Sequence, residues 1–346
     1  MKFGITFDAR DKAASEKAQE ITKILDSYNR DIVSENRTSG LSKRQKIKRI
    51  SEMDADIIIS VGNSFNVLRT FKELNDRTPL VLCVAISQSN FLSEITADQF
   101  QNALERLDAG KYTVEERSRL CITGTPLVFP LALNDVVLAS RKSATLVSYA
   151  LLKNGREILR DTGDGLIIST PTGSTGYSVS AGGPIVMPEA KTIVTTPISS
   201  LNQNKSIVFD NNDKIEIKSI YSSHGIDVIV DGGFRSAFTG TNIMIKKADV
   251  PARFIKFKDL DKSVLERLRK RIEISKPAPT AAPPSAKFIF KILEYEGPLT
   301  QKELIKTTSL PSRTVRSGLT YLIKGKLIGE QKSLRDSRYS IYYIIH

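Results

Sequence analysis

The chain has 346 residues, 40% hydrophobic and 26% charged, a length beyond what one core usually serves, so two or three globular domains are expected. No apolar run approaches the ~20 residues that span a bilayer, and the start "MKFGITFDAR" reads as a strand followed by charge, unlike a signal peptide, so a cytoplasmic protein with no membrane partner is expected. Two cysteines, Cys83 and Cys121, and two histidines, His224 and His346, exclude a zinc centre, a histidine-based triad and a disulfide framework, and no metal site is expected; the formal net charge of +13 points to a polyanionic partner.

In chain order, residues 1–120 alternate strands ("KFGITF", "ADIIISV", "PLVLCVAI") with helices, as over Asp11 to Tyr28, where Ala14, Ala18, Ile21, Leu25 and Tyr28 recur at helical spacing. That alternation predicts an α/β, doubly wound domain with a parallel sheet. Within it "IIISVGNSFNVLRTF", Ile57 to Phe71, reads as strand, tight turn, and amphipathic helix from about Ser64. From 121 to 257 the segments "LALNDVVLAS", "DGLIIST", "TIVTTPI", "DKIEIKSI", "GIDVIVDGG" and "TNIMIKK" are short and β-branched, so a β-rich second domain is expected over 121–275, with "DLDKSVLERLRKRIEI" as its closing helix. "KPAPTAAPPSA", residues 276–286, carries four prolines and reads as an extended linker.

Residues 287–346 hold 7 Lys and 4 Arg against 4 Glu and 1 Asp. They parse as three helices, the second with Thr300 as N-cap and Glu303 completing a capping box, followed by two strands. This α+β order resembles a winged helix-turn-helix. The resemblance implies double-stranded DNA as a partner, with Ser312, Arg313, Thr314 and Arg316 on the third helix and Arg335 and Arg338 on the wing as contacts.

The most informative stretch is Asp164 to Pro184, "DGLIISTPTGSTGYSVSAGGP": a buried strand, a loop of small hydroxyl residues and glycines that admits a polar ligand, one tyrosine able to flank a ring, and a Gly-Gly-Pro break. It resembles the signature of the NAD kinase family. "ALNDVVLAS", Ala132 to Ser140, resembles that family's Asn-Glu strand with Asp135 in place of Glu, and "AGKYTVEERSRL", Ala109 to Leu120, resembles the segment joining its two domains. The resemblance covers residues 1–257. It implies NAD or NADP as the ligand, with Asn134 and Asp135 at the nucleoside, Asp164 near the nicotinamide end, and Thr172, Thr175, Gly176, Tyr177 and Ser180 around adenine and ribose. It also implies a homodimer or homotetramer.

Against that family the opening stretch departs. Where NAD kinases carry Gly-Gly-Asp-Gly-Thr, this chain has Val61-Gly62-Asn63-Ser64-Phe65, so Asn63 stands at the position of the catalytic base while Gly62 and Ser64 are remnants of a phosphate loop. Asn63 can hydrogen-bond a hydroxyl but cannot take its proton, a loss that typically costs ~10²–10⁴ in rate. The family's glycine-rich loop aligns with "CVAISQSNFL", where Cys83, Ala85, Ser87, Ser89 and Asn90 replace its fixed residues. The departures point to a dinucleotide-responsive DNA-binding regulator with lost or weak kinase activity. The alternative is an active NAD kinase that uses ATP or polyphosphate with Mg²⁺, carries a regulatory C-terminal domain, and takes its base from elsewhere, Asp164 being one candidate.

Overall fold

The structure is a computed structural model that describes residues 1–35, 46–86, 92–257, 283–296, 299–308, 310–325, 327–332 and 340–344. The chain divides into two compact units, Met1–Leu268 and Arg269–His346.

The first unit opens with β1 (Lys2–Thr6), α1 (Lys12–Ser27), β2 (Asp31–Ser34), β3 (Lys46–Ile47), β4 (Ile57–Val61), α2 (Ser64–Leu74), β5 (Leu80–Ala85), β6 (Ile95–Thr96) and α3 (Phe100–Asp108). These strands pair in parallel, in the order β3-β2-β1-β4-β5, with β6 also on β5. Alternate residues of β4 serve opposite faces, as a period of two demands: Ile57, Ile59 and Val61 pack with Ala14, Ile21, Phe100 and Leu104, while Ile58 packs with Val67, Phe71 and Leu74 of α2. Asp11 caps α1 by accepting from the Ala14 amide at 3.1 Å. The expected inner face of α1 is buried except for Tyr28, which forms the helix C-cap and is exposed.

After β7 (Thr113–Arg117) the chain enters the β-rich part: β8 (Leu120–Thr123), β9 (Asp135–Ser140), β10 (Val147–Lys153), β11 (Arg156–Gly163), β12 (Gly165–Ser169), β13 (Thr192–Ile198), β14 (Ile207–Asp210), β15 (Ile215–Tyr221), β16 (Ile226–Val230), β17 (Phe234–Phe238) and β18 (Ile243–Lys247). They form two antiparallel sheets, β11-β10-β15-β18-β8 and β14-β13-β12-β9-β16-β17. One apolar cluster joins them, with Leu151, Ile217 and Ile245 from the first and Leu138, Ile168 and Val228 from the second. The six segments expected to be strands are strands. The β10–β11 hairpin was not expected, although its Asn154-Gly155 turn, with φ of 49° and 82°, is the usual hairpin signal.

The expected boundary between the two parts shifts in one respect. A last strand, β19 (Ala252–Lys256), returns to the first sheet, parallel to β5 and antiparallel to β7. The closing helix expected after it, and most of the linker, lie outside the described residues.

In the second unit a helix begins at Pro284, inside the stretch expected to be linker; proline is well suited to a first helical turn. The helices Pro284–Glu296, Gln301–Thr308 and Ser312–Lys324 precede the strand pair Ile328–Lys332 and Ser340–Ile344, with the short strand Leu299–Thr300 added to it. The capping box forms as read: the Thr300 amide donates to Glu303 Oε2 at 2.8 Å and the Glu303 amide to Thr300 Oγ1 at 3.3 Å. Ile289, Leu304, Val315, Leu319, Leu322 and Ile328 form the core of this unit.

Candidate functional site

Antiparallel pairing brings three loops of the second sheet to one edge. Asp135 at the start of β9 lies opposite Ser169 at the end of β12, and Val136 opposite Val230 at the end of β16. The loops Leu133–Asn134, Thr170–Gly183 and Asp231–Gly233 therefore meet.

The join is made by Asp231, in the left-handed conformation at φ 49° that aspartate tolerates. Its buried carboxylate accepts from the amides of Leu133 (2.8 Å), Asn134 (2.7 Å) and Asp135 (3.1 Å), and its own amide donates to the Asp135 carbonyl at 3.0 Å. On the other side Thr170 donates from Oγ1 to the Leu133 carbonyl at 2.7 Å and from its amide to the Asn134 carbonyl at 2.9 Å. Thr170 also caps the following helical turn through the Gly173 amide. Gly173 presses against Asn134, where a Cβ would come within 2.0 Å of the carbonyl oxygen, so only glycine fits.

Asn134 and Asp135 converge on Gly176: a Cβ there would lie 3.8 Å from both Asn134 Nδ2 and Asp135 Oδ2. Asn134 Oδ1 is buried with no hydrogen-bond partner among the described residues. Asp135 is 5% exposed, and no described residue hydrogen-bonds its carboxylate. Burial, and then the neighbouring Asp231 charge, push that carboxyl up to about 7. Burial also pushes Asp231 up, against the pull of its three amides and of Arg119. Thr172 and Thr175 are buried in the loop, with Thr175 Oγ1 donating to the Thr172 carbonyl at 3.1 Å; Tyr177, at 49%, and Ser180 are exposed.

Asp164 is not part of this cluster. It precedes β12, whose far end carries Ser169, and five residues of strand at about 3.3 Å each separate the two ends. Strand direction decides this, and the linear motif hides it.

The turn after β4 stands at the carboxyl ends of the parallel strands, where such sheets place ligands. Gly62 has φ 146°, and Asn63 caps α2 by accepting from the Asn66 amide at 3.2 Å. Asparagine and aspartate cap equally well, so the replacement leaves the local fold intact while removing a proton acceptor. Phe65, 50% exposed, lies 3.7 Å from where a Cβ on Gly233 would be, which brings the start of α2 to the Asp231–Gly233 turn.

Sequence reading missed Arg119, which is fully buried and donates to the carbonyls of Phe71 (2.9 Å), Leu131 (3.0 Å) and Asn75. Burial lowers it to about 10, still charged at neutral pH, with Asp231 opposing the shift. In the sequence Asp231 falls within the strand segment "GIDVIVDGG" and Arg119 within the segment that joins the two domains, and neither stretch signals a buried ionised side chain. Cys83 is a buried thiol and Cys121 a half-buried one, and among the described residues no group of three or more His, Cys, Asp or Glu could hold a metal. Ser312, Arg313 and Arg316 are exposed and Thr314 half-buried on the third C-terminal helix; Arg335, Arg338 and the segment holding Ser87, Ser89 and Asn90 lie outside the described residues. Among those residues no helix is long and apolar enough to cross a membrane.

Two family models match the chain: the ATP-NAD kinase N-terminal domain over residues 3–112 and the ATP-NAD kinase C-terminal domain over 133–257. An NAD kinase of Bacteroides fragilis is 32% identical over 212 residues, 60% of this chain and 72% of the relative. An NAD kinase of Clostridium perfringens is 34% identical over 227 residues, 64% and 81% respectively. The crystal structure of an NAD kinase from Archaeoglobus fulgidus in complex with ATP is 26% identical, with TM-score 0.64 over 78% of this chain and 99% of that one.

These matches correct the expectation of a catalytically silent, dinucleotide-responsive regulator that reads DNA. The relatives are kinases, and nothing in the matches points to a DNA-binding regulator. The expectation rested on the altered turn, the altered glycine-rich loop and the basic C-terminal segment, none of which excludes phosphoryl transfer. Loss of a general base removes ~10²–10⁴ from accelerations that usually exceed 10⁶, and a different carboxylate stands unpartnered in the loop cluster.

Proposed function

The chain belongs to the NAD kinase family, and from that premise we propose that it transfers a phosphoryl group from ATP to the 2′-hydroxyl of NAD, giving NADP. The observation that carries this reading is the junction of Asn134, Asp135 and Gly176. Among the described residues the buried Asn134 Oδ1 has no donor and the 5% exposed Asp135 has no hydrogen bond to its carboxylate, a costly pairing, and the amino and hydroxyl groups of a nucleoside supply what both need. The adjacent Gly173 and Gly176 backbone and the exposed Tyr177 ring suit a flat base and its ribose.

The start of α2, at the carboxyl end of β4, supports a donor site, since the positive end of a helix dipole favours phosphate. Asn63 would orient a hydroxyl without deprotonating it. The described side chains make no cation cage of three or more acidic, His or Cys ligands. Magnesium in phosphoryl transfer commonly relies on one or two carboxylates plus substrate phosphates, so it would arrive with ATP and offset the charge that develops between the phosphates. The order of three helices and a strand pair supports a winged-helix fold for the C-terminal unit.

The test is direct. The full-length chain incubated with NAD, ATP and Mg²⁺ should form NADP, read by an NADP-specific dehydrogenase. NADP no higher than in enzyme-free controls, from protein that binds NAD, would refute the proposal.

A further inference from the structure

We infer that Asp135 is the general base of the transfer, standing in for the carboxylate missing at Asn63: its side chain, at the junction of the three loops, accepts the 2′-hydroxyl proton of the dinucleotide. This rests on the kinase reading above.

Among the described residues, other carboxylates at the ligand edges of the first unit or in its motifs are engaged or distant. Asp8 follows β1 but is held by Arg10, whose hydrogen bonds lower it to about 2 and leave it a weak base. Glu35 follows β2 and forms a two-point pair with Arg69. Asp231 spends its oxygens on three backbone amides. Asp164 lies at the opposite end of β12. Asp135 alone of these is buried without a hydrogen-bond partner, with one oxygen toward Gly176 in the loop that would enclose the nucleoside. Phe65 against Gly233 ties the start of α2, and so the donor turn, to the Asp231–Gly233 turn that holds Asp135 by its backbone.

Chemistry agrees with position. A base works best when its pKa lies near the working pH, and Asp135 is raised to about 7. The charged group acting on it is Asp231, itself faced by Arg119; Ser169 across β12 and the loop through Thr172 and Thr175 bring no charge. In the step, the 2′-oxygen forms a bond to the γ-phosphorus of ATP. The bond from that phosphorus to the β,γ-bridging oxygen breaks, ADP leaves with the electron pair, and the proton passes to Asp135 and then to water.

The experiment measures kcat against pH, and NAD affinity by titration, for the full-length protein, D135N and the D135N/N63D double variant, with ATP and Mg²⁺. Expected are a wild-type kcat that rises with pH to a plateau through about 7, a loss of about 100-fold or more in the D135N kcat measured at saturating NAD, and recovery of at least about tenfold in D135N/N63D. A merely structural role would give neither the pH limb nor the recovery. D135N retaining kcat within about threefold would overturn the inference and leave the kinase reading intact. So would a wild-type kcat flat between pH 6 and 8, which decides the matter even if D135N does not fold. No NADP from the wild type at any pH would remove the kinase reading itself, and the inference with it.

Discussion

At the residue scale, the candidate site is defined by what individual atoms lack. Asn134 Oδ1 has no donor, and the Asp135 carboxylate has no hydrogen-bond partner among the described residues. Such groups make the empty site costly and a polar ligand welcome. The sign of the pH effect follows. A carboxyl held near 7 in the folded chain, against about 3.9 unfolded, keeps its proton in the native state while the unfolded chain has lost it. Stability should therefore fall as pH rises from about 4 to 7, and D135N should be more stable than wild type at pH 8, by an amount on the order of a few kcal/mol, in urea unfolding. Equal midpoints at pH 8 would argue against a buried, raised Asp135. Gly173 is the complementary case, since a methyl group there would strike the Asn134 carbonyl. Gly173→Ala should cost about 1–3 kcal/mol of stability and weaken NAD binding about tenfold or more.

At the scale of elements, the C-terminal turn of α2 and the loops before β9 and after β16 are coupled by Arg119. Its guanidinium joins the last turn of α2 to Leu131, and its charge faces the Asp231 that gathers the β9 amides. Leu133 packs in the same cluster as Val67 and Phe71 of α2. Arg119→Met would leave buried carbonyls without donors and Asp231 without its cation, so we expect a loss of at least about 3 kcal/mol in the urea midpoint. Arg119→Lys should recover little, because a single ammonium cannot reach three carbonyls in a fixed fork. A full recovery by lysine would mean that charge alone matters there.

At the scale of the molecule, each compact unit has its own core: the larger is built on a parallel sheet with helices and on two antiparallel sheets, the smaller on three helices and a short sheet. Separate cores support separate unfolding. Calorimetry of the full chain should show two transitions. Saturating NAD should raise only the larger one, as a ligand that binds one native unit must. A single transition that moves as a whole with NAD would contradict this.

Periodicity and composition determined most of the local structure. The 3.6-residue and two-residue patterns placed α1, α2 and the main strands, because burial of one face is a local property of the chain. The Asp164–Pro184 stretch was enough to single out the loop proposed to enclose the nucleoside, since glycine and hydroxyl spacing is local too. What tertiary structure alone decided depends on residues distant in sequence. Strand register placed Asp135 beside the Thr170–Gly183 loop and Asp164 at the other end of β12. The return of β19 completed the first sheet from the far end of the domain. Arg119 and Asp231 became visible only when loops separated by about a hundred residues closed around them, because burial and charge neighbours, which set their chemistry, exist only once the chain is folded.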